Sequence, residues 1–250
     1  MTSYTFGNNP TAADRLLVVA RVFDPTMAAV LGELPRRRWR RVLDLGCGPG
    51  SSTERLARHL DARELVGLDA STDFCAAARD RMPGATFVVG DVLAPFPVRS
   101  PDLVYARYVL SHLPDPLRVA RGWAAQLAPD GWCVLEEPDR IETDDDVFTR
   151  YLALTGGLVA SHGADMYVGR TLASLDATVN RVFELAVSAA DAATMFSLNL
   201  ASLRTDPWVI ERHSAAELDE LSDVLTARAR GEATRPDVGW RVRQVVLEAA

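Results

Sequence analysis

A carboxylate followed by alternating glycines is the feature of this sequence whose residue types and spacing point most directly to chemistry. The glycines are Gly46, Gly48 and Gly50, with Asp44 before them and Cys47 between the first two. Alternating glycines let the backbone bend sharply and let a ligand approach without meeting a Cβ atom. A dinucleotide-binding turn has its third glycine one residue later, and a carboxylate at position 44 would repel a pyrophosphate. The spacing therefore favours a nucleotide-like ligand that carries an ammonium group and no phosphate.

This glycine segment and a second passage further along the chain resemble a known family. Asp44-x-Gly46-x-Gly48-x-Gly50 resembles motif I of the class I methyltransferases that use S-adenosylmethionine (SAM), and Leu127-x-Pro129-x-Gly131 before a strand resembles another of their hallmarks. The resemblance is strong over residues 40–137 and topological elsewhere. It implies that SAM is the cofactor, that the glycine segment with Cys47 binds it, and that its methyl group passes to a nucleophile.

Two further acidic residues follow predicted strands. Asp69, with Ala70 after it, ends a predicted strand and lies roughly 20 residues beyond the glycines, where such folds place an acid beside the ribose. The alternative is that Asp69 only caps the next helix. For the third strand, predicted over residues 87–92, the resemblance implies that Asp91 meets the adenine amino group and that the backbone N–H of Val92 meets the ring. The alternative there is a turn aspartate.

Two arginines are candidates for the methionine half of SAM. Arg15 lies on a predicted N-terminal helix, and in similar methyltransferases an arginine there reaches the SAM carboxylate; Tyr4 is a weaker candidate in the same segment. Arg107 ends the fourth predicted strand, where it either contacts a ligand or pairs with an acid. An alternative for each arginine is a purely structural role.

Three residues are candidates for acid–base or acceptor-binding work. His112 follows the fourth strand, and the ordinary pKa of histidine suits a general base. Glu137 ends the fifth strand at the edge of the cleft, and His162 lies with Tyr167 in a predicted lid. We predict His112, Glu137 and His162 as catalytic candidates, against the alternative that each has a packing or structural role.

Composition limits the other classes of ligand. A net charge of -7 on 250 residues argues against nucleic acid and anionic membranes as partners. Asp144–Asp146 invite a metal site, but Arg107 stands where a magnesium-dependent methyltransferase needs an acid, so we expect no metal and a helix start there instead. The three cysteines match no metal spacing and indicate reduced thiols. We expect a cytoplasmic protein without a membrane span, as monomer or homodimer.

The elements that must position these residues form an α/β pattern. We predict a Rossmann-like sheet of seven strands, mostly parallel with an antiparallel last strand, helices on both faces, and a helical lid. The single domain divides into an N-terminal helical cap (1–40), a SAM-binding core (41–137) and lid insertions (138–179 and 190–235). A helical pattern over 147–163 is interrupted by Gly156-Gly157, and another runs over 195–210.

The predicted function is methyl transfer from SAM to an oxygen or nitrogen of a small molecule, in secondary metabolism. One alternative is a protein that binds SAM without methyl transfer, as a cyclase or regulatory subunit. A weaker alternative, given the acidic composition, is an enzyme that methylates RNA or protein.

Overall fold

One mixed sheet of seven strands forms the centre of the protein. The computed structural model describes residues 10–232 and 236–249, so the lid candidate Tyr4 lies outside the described residues. The order across the sheet is β3-β2-β1-β4-β5-β7-β6. The strands are β1 (Trp39–Leu45), β2 (Ala62–Asp69), β3 (Thr86–Val89), β4 (Leu103–Arg107), β5 (Trp132–Glu142), β6 (Val179–Val187) and β7 (Val238–Glu248).

The direction of the strands matches the prediction. The pairs β1–β2, β1–β4, β2–β3 and β4–β5 are parallel, whereas β7 runs antiparallel to both of its neighbours, β5 and β6. The carboxyl ends of β1, β2 and β4 therefore open at one edge of the sheet, which is where such folds bind ligands. The predicted Rossmann-like sheet with an antiparallel last strand is confirmed.

Helices cover both faces of the sheet because its central strands are apolar on both sides. The helices are α1 (Pro10–Val22), α2 (Asp24–Leu31), α3 (Ser51–His59), α4 (Thr72–Arg81), α5 (Pro116–Ala124), α6 (Asp146–Ser161), α7 (Gly169–Leu172), α8 (Ala189–Leu203), α9 (Pro207–Arg212) and α10 (Ala215–Ala229). On one face of the sheet, Val42 of β1 and Leu103 of β4 pack with residues of α2 and α3. On the other face, Leu43 of β1 and Val104 of β4 pack with residues of α5 and α7.

The lid region differs from the predicted pattern in two places. Helix α6 continues through Gly156-Gly157. A Cβ on Gly157 would lie 2.5 Å from the Trp208 ring, so this glycine permits close packing and breaks no helix. The predicted run over 195–210 is two helices, because Asp206 caps a new helix whose first residue is Pro207.

Candidate active site

The glycine segment forms the turn between β1 and α3. Gly46, Gly48 and Gly50 have φ values of 65°, 53° and 82°, which residues with a side chain rarely adopt. A Cβ on Gly46 would lie 2.5 Å from Val109 Cγ2, and one on Gly50 would lie 3.0 Å from Ala78 Cβ. The first and last glycines therefore also let neighbouring elements approach the turn closely.

Asp44 is buried beneath this turn. Its Oδ2 accepts hydrogen bonds from the Ser52 hydroxyl at 2.7 Å and the Thr53 hydroxyl at 2.6 Å. Burial raises the pKa of Asp44 to about 6, against the opposing effect of these two bonds. The carboxylate thus ties the end of β1 to the first turn of α3.

Asp69 lies at the end of β2, beside the turn. Its Oδ2 accepts the backbone N–H of Gly48 at 2.9 Å, and its Oδ1 accepts that of Ser71 at 2.8 Å. The backbone N–H of Ala70 is a third partner of this carboxylate. A carboxylate offers about four acceptor positions, so one remains for a ligand hydroxyl. Burial raises the pKa of Asp69. The geometry therefore leaves Asp69 able to accept a hydrogen bond from a ribose hydroxyl.

A cavity of about 510 Å³ runs from the glycine turn to Trp240 on β7. It brings together most of the predicted cofactor-binding residues, namely Arg15, Gly46, Cys47, Gly48, Asp69, Ala70, Val92 and Arg107. Asp44 and Gly50 lie outside its lining, since both support the turn. Asp91 also lies outside it, because β3 ends at Val89 and the exposed Asp91 accepts the backbone N–H of Leu93 at 2.8 Å. Asp91 on adenine stays a prediction.

Both candidate arginines line the cavity, one from the cap and one from the sheet. Arg15 on α1 is only 8% exposed. Arg107 at the end of β4 donates from Nη1 to the carbonyl of Phe23 at 3.3 Å. This bond ties the strand end to the junction of α1 and α2. Two cationic groups therefore reach one cavity, whereas the methionine half of SAM carries a single carboxylate.

The three catalytic candidates occupy three different environments. His112 lines the cavity, where burial, together with the charge of Arg15, lowers its pKa to about 4. Glu137 is fully buried outside the lining, and its Oε1 accepts the N–H groups of Val109 and Leu110 at 2.8 and 2.7 Å. His162 ends α6 outside the lining, 3.7 Å from Asp206. The structure thus brings only His112 to the cavity.

Tyr108, which follows Arg107 and was expected with it near the methionine half of SAM, lines the cavity with a φ of 58°. The lid contributes lining residues that were not predicted from the sequence. Tyr151 and Asn199 lie on α6 and α8, buried, with Asn199 Nδ2 donating to the Tyr151 oxygen at 2.7 Å. Asn199 lies among the apolar residues of α8, and a polar residue in such an apolar stretch is the sequence signal that could have marked it as a site residue.

The acidic run at 144–146 starts a helix. Asp145 caps α6 by accepting the N–H groups of Val147 and Phe148, and it pairs with the buried Arg228. Among residues 10–232 and 236–249, no group of three or more His, Cys, Asp or Glu side chains could hold a metal ion. In the same residues no helix is both long and apolar enough to cross a membrane.

Comparisons with known proteins agree with this geometry. A family model described as a methyltransferase domain matches residues 43–135, from the strand before the glycine turn to β5. Residues 43–135 of this chain are therefore similar to a methyltransferase domain. The trans-aconitate 2-methyltransferase of Methylobacterium radiotolerans is 35% identical over 57% of this chain and 55% of its own length. That of Variovorax paradoxus is 40% identical over 45% and 44%. The chain thus spans about half the length of these curated relatives.

Solved structures support the fold. A protein from Bacillus halodurans superimposes with a TM-score of 0.59 at 16% identity, covering 90% of this chain and 100% of that one. Coclaurine N-methyltransferase superimposes with a TM-score of 0.51 at 16% identity, covering 89% and 71%. At this identity the likeness shows the methyltransferase fold alone.

Proposed function

We propose that this chain transfers the methyl group of SAM to a carboxylate oxygen of a small organic acid. The observation that carries the proposal is the kind of base the cavity offers. Among the described lining residues, Cys47, Tyr108 and Tyr151 have a raised pKa and keep their protons at neutral pH. The remaining candidates are Asp69, assigned to the ribose, and His112, whose pKa is lowered to about 4. A base that weak takes little of the proton of a phenol or an alcohol at neutral pH. A carboxylate needs no base because it is already ionised.

The residues present fit SAM at the turn end of the cavity. Positive-φ glycines expose backbone there, Asp69 has an acceptor position for the ribose, and the Asp44 charge favours an ammonium group. Val92 lines the same end, as expected for the adenine ring. We assign Arg15 to the carboxylate of the methionine half, which leaves Arg107 for the carboxylate of the acceptor.

In this mechanism the chain positions the reactants. SAM supplies an electrophilic methyl group on a positively charged sulfur. Arg107 attracts and orients the acceptor carboxylate, and the side chains of α1, α6 and α8 that line the cavity hold the acceptor beside it. Opposite charges disappear as a carboxylate is methylated, so a cavity of low dielectric constant does not oppose the reaction. His112 remains neutral at pH 7 and contributes a polar wall.

The names of the relatives support the acceptor class, since trans-aconitate is a carboxylic acid. The test is turnover of SAM carrying a radiolabelled methyl group with a panel of small carboxylic acids, after calorimetry with S-adenosylhomocysteine (SAH). A methyl ester releases volatile labelled methanol in mild alkali, whereas N-methyl and aryl ether products do not. Alkali-stable label would overturn carboxylate methylation, and failure to bind SAH would overturn SAM as the cofactor.

A further inference from the structure

The part of the cavity lined by residues 138–240, here called the acceptor lobe, differs in charge from the cofactor end. Of its described lining residues none is charged, and aromatic and aliphatic side chains such as Phe196, Trp240 and Met195 predominate. Phe196 stacks on Tyr151 with ring centroids 4.2 Å apart and lies 5.9 Å from Trp240. The walls of the lobe are therefore apolar and fixed against one another.

This charge distribution bears on how many carboxylates an acceptor can carry. Burying an ionised carboxylate without a cation or several hydrogen bonds is strongly unfavourable. Arg107 at the junction with the cofactor end provides for one carboxylate. A tricarboxylate would place its other two charges in the acceptor lobe, where Arg15, already assigned to the methionine carboxylate, is the cation whose charge reaches Tyr151. The lobe therefore suits a monocarboxylic acid with an apolar body.

Three buried polar side chains interrupt the apolar wall, namely Tyr151, Thr155 and Asn199. Asn199 Nδ2 donates to the Tyr151 oxygen at 2.7 Å, and the two residues are 6% and 2% exposed. Asn199 Oδ1 has no hydrogen-bond partner among the described residues. The Thr155 side chain is a second hydrogen-bond partner of this hydroxyl. Because the tyrosine oxygen accepts the amide bond, its own O–H is a donor. Burial raises the pKa of Tyr151, so that proton is retained at neutral pH. A buried acceptor without a partner calls for a ligand group that supplies the missing hydrogen.

We propose that Tyr151 and Asn199 select the acceptor by binding a neutral hydroxyl group on its apolar body. A hydroxyl donates one hydrogen bond and accepts others, so it can donate to Asn199 Oδ1 and accept from the Tyr151 O–H. This inference rests on the proposed function and adds the substrate class: a hydroxylated apolar monocarboxylic acid. The two residues act in recognition and take no part in the methyl transfer itself.

The experiment is calorimetry on the SAH-saturated protein with matched pairs of ligands. The probes are straight-chain acids from hexanoate to dodecanoate, their ω-hydroxy counterparts of equal length, and trans-aconitate. We expect one chain length at which the hydroxy acid binds about tenfold more tightly than its partner. Tyr151→Phe and Asn199→Leu should each reduce this ratio to about twofold or less. Tyr167→Phe is the matched control, because this half-buried tyrosine lies outside the cavity lining and should keep the ratio.

Three results would overturn the inference while the proposed function stands: tighter binding of trans-aconitate than of every monocarboxylate, a ratio near one at every length, or a ratio that survives in both variants. Absence of binding by all the acids to a protein that binds SAH would overturn it too. Failure to bind SAH would remove the proposed function first. Because Tyr151→Phe deletes a single oxygen, retained SAH affinity in that variant shows that the fold is intact.

Discussion

Replacing Glu137 with glutamine should change how the stability of this protein depends on pH. Glu137 is fully buried, and its Oε1 accepts the N–H groups of Val109 and Leu110. Burial raises its pKa from 4.5 to about 8, against the opposing effect of those bonds. Glutamine keeps a carbonyl oxygen for the same two donors and cannot ionise. The substitution therefore removes the charge and leaves the hydrogen bonds in place.

The sign and size follow from linkage. Between pH 4.5 and about 8 the native protein retains the Glu137 proton while the unfolded chain releases it, so the free energy of unfolding falls as pH rises. One pKa unit corresponds to about 1.36 kcal/mol. The difference between 4.5 and about 8 therefore amounts to a loss of about 5 kcal/mol above pH 8. Solvation of the ionised group by relaxation of the turn lowers this, and we expect about 2–5 kcal/mol.

The assay is urea unfolding of wild type, Glu137→Gln and the exposed control Glu64→Gln, at about pH 5 and about pH 9. Glu137→Gln should be more stable than wild type at the higher pH, with the advantage shrinking toward pH 5. Comparing variants at each pH separates this effect from Asp44, whose raised pKa of about 6 acts in the same direction in all three proteins. A pH dependence identical in wild type and Glu137→Gln would refute the reasoning.

Three other substitutions test the site and the lid. Asp69→Ala should weaken SAH binding in calorimetry by about tenfold to a hundredfold, because it removes a charge-assisted hydrogen bond to the ribose, and unchanged affinity would contradict that assignment. In Gly157→Val the new Cβ would lie 2.5 Å from the Trp208 ring, so the free energy of unfolding in urea should fall by about 1–3 kcal/mol. The control Gly156→Ala, whose Cβ would have no atom within 4 Å, should keep the free energy of unfolding of the wild type. His112→Gln should leave turnover at saturating SAM within about threefold of wild type and add no pH inflection, because the imidazole is already neutral at pH 7. A hundredfold loss of turnover would show instead that this histidine acts as a base.

The sheet and the cofactor end could be predicted from the sequence because local residues determine both. Alternating glycines demand positive φ, and a buried strand before them and an acid after the next strand fix the remaining geometry. The strands follow from apolar runs separated by turns, the antiparallel direction of the last one follows from the resemblance to methyltransferases, and the structure confirms both. Asp44 was expected at the ligand, but it lies under the turn because Ser52 and Thr53 on α3 hold its carboxylate.

The acceptor end could not be predicted because it depends on contacts between distant segments. From the sequence alone, Gly157 predicts an interrupted helix, and only its contact with Trp208 shows why a glycine occurs there. Glu137 and His162 are residue types suited to catalysis, yet one lies buried under the turn at 109–110 and the other beside Asp206. Tyr151 and Asn199 lie 48 positions apart, so their hydrogen bond is invisible in the linear pattern.

Helix α1 forms part of the wall at both ends of the cavity. It contributes Leu16 beside Gly48 of the glycine turn, and it packs against α8, which carries Asn199. The ion pair between Arg21 and Asp191, 2.5 Å apart, joins the two helices at the surface. Displacing α1 would open both ends in one motion, so under the proposed function the ester and the spent methyl donor would leave through the same opening event. The frequency of that event would then set a ceiling on the catalytic rate, whatever the speed of the chemical step.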